Sequence, residues 1–424
     1  MKCRHCGTAL SLTMLDLGHA PPSNAFLGHE QLRDPETWYP LRVLVCENCW
    51  LVQTQDTGVD TALFGDDYVY FSAVSSSWLE HARSYVQAMV GRFALGAHSQ
   101  VVEVAANDGY LLQYVQQAGI PCYGVEPTAG TAAAARGRGL EIVTAFFGTS
   151  LAARLQAQGR SADLMVANNV LAHVPDINDF VAGFTVLLKP GGVVTFEFPH
   201  LLCMLRECQF DTAYHEHYSY LSLTAVRRIL SAHGLEVFDV EQWPTHGGSL
   251  RVFAQRAGVG SHPVQPAVSA LLELEQRSGV RTAAFYLQFQ RETERIKHEL
   301  LAWLLDCRRN RISLAAYGAA AKGNTLLNFA GVRPDLLPYV VDRSLAKQGK
   351  FLPGSRIPVG GEQMLRDHKP MRVLILPWNL RHEIMQQLSY IGQWGGQFVS
   401  AVPRLRLLPA TAGEVTPQSA GVDR

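Results

Sequence analysis

The chain has 424 residues, 47% of them hydrophobic and 17% charged, with Lys plus Arg and Asp plus Glu balanced at 37 each. That length allows about three domains, and a net charge of zero argues against binding driven by the field of nucleic acid or an anionic membrane. No stretch nears the roughly 20 apolar residues of a membrane span, and the start MKCRHCGTAL has no apolar core behind Lys2, so a cytoplasmic protein is expected.

Residues 1–65 read as a small metal-stapled module. Cys3 and Cys6 form one CxxC and Cys46 and Cys49 another. Each CxxC puts two thiolates on one tight turn, so the pair can close a tetrahedral S4 site whose usual occupant is zinc. With four protein ligands no position stays open for a catalytic water, so the metal is expected to be structural. A redox dithiol is the competing reading, without the βαβ context it needs. The long separation of the two pairs carries Pro21 to Phe26 and implies an insertion that projects from the knuckles.

Residues 66–260 form the next expected domain. Short apolar runs at 100–104, 121–126, 163–168 and 192–198 alternate with helical stretches at 110–118, 150–158 and 179–188, the pattern of a doubly wound parallel sheet. Polar residues gather where such sheets bind ligands, at the carboxyl ends of the strands: Ala106-Asn107-Asp108-Gly109 after the first, Glu126 after the second, Asn168-Asn169 after the third. Glu126 suits ribose hydroxyls. The absence of GxGxxG disfavours a dinucleotide and favours S-adenosylmethionine (SAM), which has no phosphate to cradle; a solvated βα loop stays open as an alternative.

Downstream, Tyr214, His215, Glu216, His217, Tyr218 and Tyr220 cluster in FDTAYHEHYSYLS. Histidine titrates near neutral pH and a neighbouring Glu or Tyr can orient it, so general acid/base work fits. A metal held by His215 and His217, or a purely structural loop, are the alternatives. His173, in VLAHVPD, would face the same crevice or serve as a core histidine.

Residues 261–310 read as a helical connector broken near Gly279, 311–410 as a second α/β unit, and 411–424 as a disordered tail. In the second unit, Gly318 to Thr325 follows a strand and opens a helix, where backbone amides could meet an anion; a structural Gly turn is the alternative.

Taken together, the two CxxC pairs, VEVAANDGYLL at 102–112, ANNVLAHVPD at 167–176, YHEHYSYLS at 214–222, GGSLRV at 247–252 and AAKGNTLLN at 320–328 resemble the SAM-dependent nucleotide-sugar C-methyltransferases. These act on dTDP-linked 4-keto-deoxyhexoses at C3 in the making of branched, antibiotic-type deoxysugars such as mycarose and tetronitrose. The resemblance implies an N-terminal zinc-binding domain, a central class I SAM-methyltransferase Rossmann-like domain and a C-terminal Rossmann-like α/β domain. It implies zinc on Cys3, Cys6, Cys46 and Cys49, and SAM contacts at Ala105, Asn107, Gly109, Glu126, Pro127 and Asn168. It makes His217 the base, with Tyr214, Glu216 and His173 around the sugar; the roles of Tyr214 and His217 could be reversed. Tyr68, Ser72, Lys322, Asn324 and Lys347 become candidate substrate contacts. Ala106 stands where the family often has Ser. The implied partner is a nucleotide-linked ketosugar, with no nucleic acid or membrane; the oligomeric state is left open, a monomer being plausible. The rivals are an NAD oxidoreductase, a zinc-containing RNA methyltransferase and a catalytically inactive scaffold.

Overall fold

A computed structural model describes residues 1–58 and 71–409. Tyr68 and the tail 411–424 lie outside the described residues. Two compact units emerge: one combines residues 1–18, 40–206 and 215–290, the other 19–39, 207–214 and 291–424. Among the described residues no helix is long and apolar enough to cross a membrane.

The first unit contains a four-stranded sheet, order β1-β2-β3-β9, and a seven-stranded sheet, order β10-β11-β8-β7-β4-β5-β6. Its strands are β1 Leu12–Ala20, β2 Tyr39–Val45, β3 Val52–Thr54, β4 Val101–Val104, β5 Cys122–Val125, β6 Ile142–Val143, β7 Ala162–Asn168, β8 Leu188–Pro199, β9 Ser219–Tyr220, β10 Leu235–Trp243 and β11 Ser249–Arg256. β4 to β8 run parallel, and β10 and β11 add an antiparallel edge. The strand alternation sorts the core. Val101, Leu164, Val166 and Val193 pack with Trp78, Tyr85 and Met89 of the helix Ser76–Arg92. Val102, Met165, Ala167, Val194 and Phe196 pack on the other face, with Leu151, Phe180, Phe184 and Ile229. Both faces are covered, as near-continuous apolar strands require.

The four sequence-predicted strands are all present. The helix Ile177–Leu187 runs directly into β8 at Leu188, several residues before the expected start. Pro190, Gly191 and Gly192 therefore lie in the strand, the first two exposed and Gly192 already buried, rather than in a separate turn. Gly279, in the left-handed conformation at φ 94°, ends the helix Pro266–Ser278 where the break was expected.

The second unit is built on β12 Leu314–Tyr317, β13 Val340–Val341, β14 Val359–Gly360, β15 Arg372–Ile375, β16 Gln397–Ser400 and β17 Arg406–Leu408, in the order β14-β13-β12-β15-β16-β17. All neighbours are parallel except β16 and β17. The insertion 19–39 belongs to this unit. Leu27 pairs with Phe351, and Glu36 accepts from the Gly354 amide and faces Arg356. That local packing is a long-range choice invisible in the turn-rich text of the insertion.

Candidate active site

In the first unit, the loop after β4 turns back through three left-handed residues, Ala105 (φ 59°), Asn107 (φ 49°) and Gly109 (φ 80°). Alternate positions in a left-handed conformation are what glycines usually supply. Here an Ala and an Asn adopt it, at a cost of about 1–2 kcal/mol for the residue with an ordinary Cβ. Strain kept beside a strand's carboxyl end points to a ligand. Glu126 is buried and anchors this loop: its carboxylate accepts from the Asn107 amide at 2.9 Å, the Thr128 amide at 3.0 Å and the Thr131 hydroxyl at 3.1 Å. Asn107 Oδ1 in turn accepts from the Ser72 amide, and Asp108 from that of Ala73. Pro127 follows directly between the anchored Glu126 and Thr128.

Asn168 ends β7 with its Oδ1 buried and without a hydrogen-bond partner among the described residues. Together with the left-handed loop, this open acceptor fits a ligand that brings its own donors, as the ammonium and ribose hydroxyls of SAM do. Replacing Gly109 by Ala tests the loop. The new Cβ would lie 2.2 Å from Leu140 Cδ1; Leu140 can swing away, but the φ of 80° stays unfavourable. The expected result is a loss of about 1–3 kcal/mol in stability and weaker binding of S-adenosylhomocysteine (SAH), read by thermal melt and calorimetry; unchanged SAH affinity would detach the loop from the SAM site.

Beyond β7, Asn169 is also left-handed (φ 52°), and its Nδ2 lies 3.0 Å from His246 Nε2. His173 closes the short turn Leu171–His173, and its ring meets that of His217 edge-on at 4.6 Å. Burial pushes the His173 imidazole down to about 4, against a hydrogen bond to the Glu216 backbone that favours the charged form. His173 is therefore a neutral ring at working pH. His217 is half-buried and Glu216 buried. The backbone here is pinned from both sides: the Tyr218 amide donates to Ala172 O at 2.8 Å, Thr54 donates to His217 O, and the Thr54 amide donates to Tyr218 O at 3.1 Å. His215 is buried with Nε2 at 3.3 Å from the Pro40 carbonyl oxygen, which leaves His215 and His217 in different surroundings. Tyr214 falls at the end of the second unit's piece 207–214 and is half-buried.

Sequence reasoning missed one cluster. Glu197 on β8 and Arg251 on β11 are register partners and fully buried. Glu197 accepts from Arg251 Nη2 at 2.7 Å and from His81 Nε2 at 2.7 Å. Burial works to raise its carboxyl, yet the bonds from His81 and Arg251 hold it below the ordinary value. Glu197 also pairs in register with Asn168, so the cluster adjoins the end of β7, with Trp78 stacked on His81 at 4.9 Å and on Tyr110 at 5.7 Å. The available signal was a Glu inside VVTFEF and an Arg inside SLRVFA, charges within apolar strands.

The four predicted metal ligands converge. The sulfurs of Cys3, Cys6, Cys46 and Cys49 all lie within 4.8 Å of one another, with Cys3–Cys49 and Cys6–Cys46 at 3.5 Å. A disulfide would need about 2.05 Å, whereas zinc–sulfur bonds of about 2.3 Å set tetrahedral edges in this range. Gln53 Nε2 donates to Cys3 Sγ at 3.3 Å, as a metal-bound thiolate invites.

In the second unit, the loop after β12 is tied at Ala319, whose amide donates to Asp342 Oδ2 at 2.7 Å and whose carbonyl accepts from Lys347 Nζ at 2.9 Å. Lys322 is half-buried, donates to Asn379 Oδ1 at 2.8 Å and sits over the Trp378 ring at 4.6 Å. Asn324 is buried and donates to Ser23 O at 2.9 Å.

Three family models cover the chain: "Putative zinc binding domain" at residues 3–64, "Methyltransferase domain" at 78–240 and "C-methyltransferase C-terminal domain" at 244–403. The C-methyltransferase NovU of Streptomyces niveus is 34% identical over 409 residues, spanning 96% of this chain and 97% of its own. The chain belongs to the C-methyltransferase family. It is a SAM-dependent C-methyltransferase with an α/β fold and an N-terminal cysteine cluster. Among solved structures, the magnesium protoporphyrin IX methyltransferase of Synechocystis PCC 6803 with bound SAH is 17% identical, covering 42% of this chain and 83% of its own, with a TM-score of 0.35. The glycopeptide N-methyltransferase MtfA is 16% identical, covering 41% and 96%, with a TM-score of 0.34.

Proposed function

We propose that this C-methyltransferase methylates C3 of a dTDP-linked 4-keto-deoxyhexose in branched deoxysugar biosynthesis. A carbon beside a ketone becomes nucleophilic only when its proton is removed, which calls for a base at C3 and a donor for the oxygen charge developing at C4. In this reading His217 takes the C3 proton, the electron pair of that C–H bond moves toward the C4 oxygen, and Glu216 orients the imidazolium that results. The pairing of a buried neutral imidazole, His173, with the more accessible His217 at 4.6 Å is the observation that carries the proposal. Tyr214 is the hydroxyl donor available to the enolate oxygen on this segment, while the neutral His173, whose one N–H is given to the Glu216 backbone, would hold its ring against His217 and keep a second positive charge away from the base. SAM, when bound, would supply an electrophilic methyl for C3, the S–CH3 bond electrons returning to sulfur as SAH leaves. Ala105, Asn107, Gly109, Glu126, Pro127 and Asn168 would hold it, Asn168 through its open Oδ1.

In the same reading zinc on Cys3, Cys6, Cys46 and Cys49 is structural. Ser72 would belong to the sugar side, while Lys347, Lys322 and Asn324 are engaged inside the second unit, with Ala319 O, Asn379 and Ser23 O. Calorimetric titration of dTDP into SAH-saturated protein is expected to show saturable binding. SAH binding without any dTDP binding would move the acceptor to another nucleotide.

A further inference from the structure

In the second unit, the residues leading into the Tyr214–His217 segment form a short turn, Phe210–Thr212. That turn is gripped by the C-terminal sheet domain at three points. Asp211 is fully buried, and its Oδ2 accepts from the Trp378 indole Nε1 at 2.8 Å. The buried Thr325 hydroxyl, on the helix Ala321–Ala330, donates to Ala213 O at 2.9 Å. Phe210 meets Phe329 of the same helix edge-on at 5.8 Å.

A fully buried carboxyl is costly unless something needs it there. Asp211 Oδ1 has no hydrogen-bond partner among the described residues, and burial pushes the group up to about 6 although Lys322 and Trp378 pull the other way. Leucine would fill such a space more cheaply; what a carboxyl adds is a directed acceptor for one indole, fixed in turn by Lys322 lying over the ring. The bond joins residues far apart in sequence, and its product is the backbone position of Ala213 and therefore of Tyr214.

We propose that Asp211 is a positioning residue: through the Trp378 hydrogen bond it makes the C-terminal domain the template that sets Tyr214 for catalysis. This rests on the reading of Tyr214 and His217 as the groups around the sugar. Lys322, inside AAKGNT, then serves methyl transfer by holding Trp378 rather than by touching the nucleotide.

Three variants test it: Asp211→Leu, Trp378→Phe and Asp211→Asn, the last keeping an acceptor of the same shape. Asp211→Leu and Trp378→Phe are each expected to lower kcat about 10- to 100-fold, the scale of an ångström-sized misplacement, with KM, SAH affinity and melting temperature little changed. Combining them should cost no more than either alone, since both break one bond. Asp211→Asn should restore most of kcat. Unchanged kcat in Asp211→Leu, additive losses in the double variant, an Asn variant as impaired as Leu, or a fall in SAH affinity and melting temperature matching the fall in rate would each overturn the proposal. Hydrogen exchange separates it from the parent reading. Faster exchange at residues 213–217 in Asp211→Leu, with β4 and β7 as protected as before, supports the latch even if no 4-ketosugar is turned over; equal exchange at 213–217 overturns it.

Discussion

Replacing His217 with Asn is expected to lower kcat by about 10²–10⁴-fold, the usual worth of a positioned general base, while SAH binds as before. The Asn side chain keeps a similar shape and a polar edge but cannot accept a proton at working pH. The backbone that carries it stays fixed, because Thr54 and Ala172 hold residues 217 and 218 through main-chain bonds that the substitution does not touch. The loop at 105–109, proposed to hold SAM, is anchored separately by Glu126. A parallel measurement of exchange of the substrate's C3 hydrogen with solvent should fall with kcat, since proton removal is the step lost. Near-normal turnover would shift the base to Tyr214.

The pH profile sharpens this test. A base works only when deprotonated, so kcat/KM should fall on the acid side through the titration of one group. His173 contributes no such limb, because burial holds its imidazole near 4 and it is already neutral above about pH 5. The sign for stability follows. The unfolded chain binds a proton at His173 below its ordinary value near 6.5, while the folded chain does not until about pH 4. The contribution of His173 is thus fully present above pH 6.5 and is lost as the pH falls toward 4. Nuclear magnetic resonance of the imidazole protons should show one ring of the His173–His217 pair unmoved between pH 5.5 and 9; titration of both would remove His173 as the neutral ring of the pair.

Removing the metal is expected to have the second large effect. Metal analysis of purified protein should find zinc bound, and Cys49→Ser should abolish it, because three thiolates lack the fourth corner of the tetrahedron. The cysteines Cys3, Cys46 and Cys49 are buried, and Cys46, Cys49 and Leu51 join the same apolar cluster as the central sheet. Without metal that module loses what holds its knuckles, since binding and folding of such sites are one process. The consequence reaches the proposed catalytic segment by a short route. Gln53 donates to Cys3 Sγ and accepts from the Arg4 amide at 2.9 Å, and the Arg4 guanidinium lies 5.1 Å from the centre of the Tyr218 ring. β3 then pairs with β9, Val52 opposite Tyr220, beside Thr54 and its bond to His217 O. Zinc loss should accordingly cut kcat at least about tenfold and expose residues 1–58 to protease, with SAH affinity kept within a few-fold. Full activity in zinc-free protein would show that the cluster does not support the site.

The boundary between what the chain's text determines and what only folding decides falls along sequence distance. Two CxxC pairs announce an S4 site because each half is a local turn, and only the meeting of two halves is left to the fold. The parallel strands were legible at 100–104, 121–126, 163–168 and 192–198, because burial on both faces writes a continuous apolar run, while the first residues of β8, Leu188 to Gly191, were not, since Lys-Pro-Gly reads as a helix stop. The segment Tyr214–His217 was legible as a candidate for acid/base chemistry from its residue types alone. The left-handed loop was not, because Ala105 and Asn107 stand where glycine would have signalled the conformation. Nor was the placement of residues 19–39 with the C-terminal unit, nor the pairs Glu197–Arg251 and Asp211–Trp378. Each of these joins groups that no local periodicity relates. A buried charge or indole finds its partner through strand register and tertiary packing, and its meaning appears only once the folded chain has brought the two ends together.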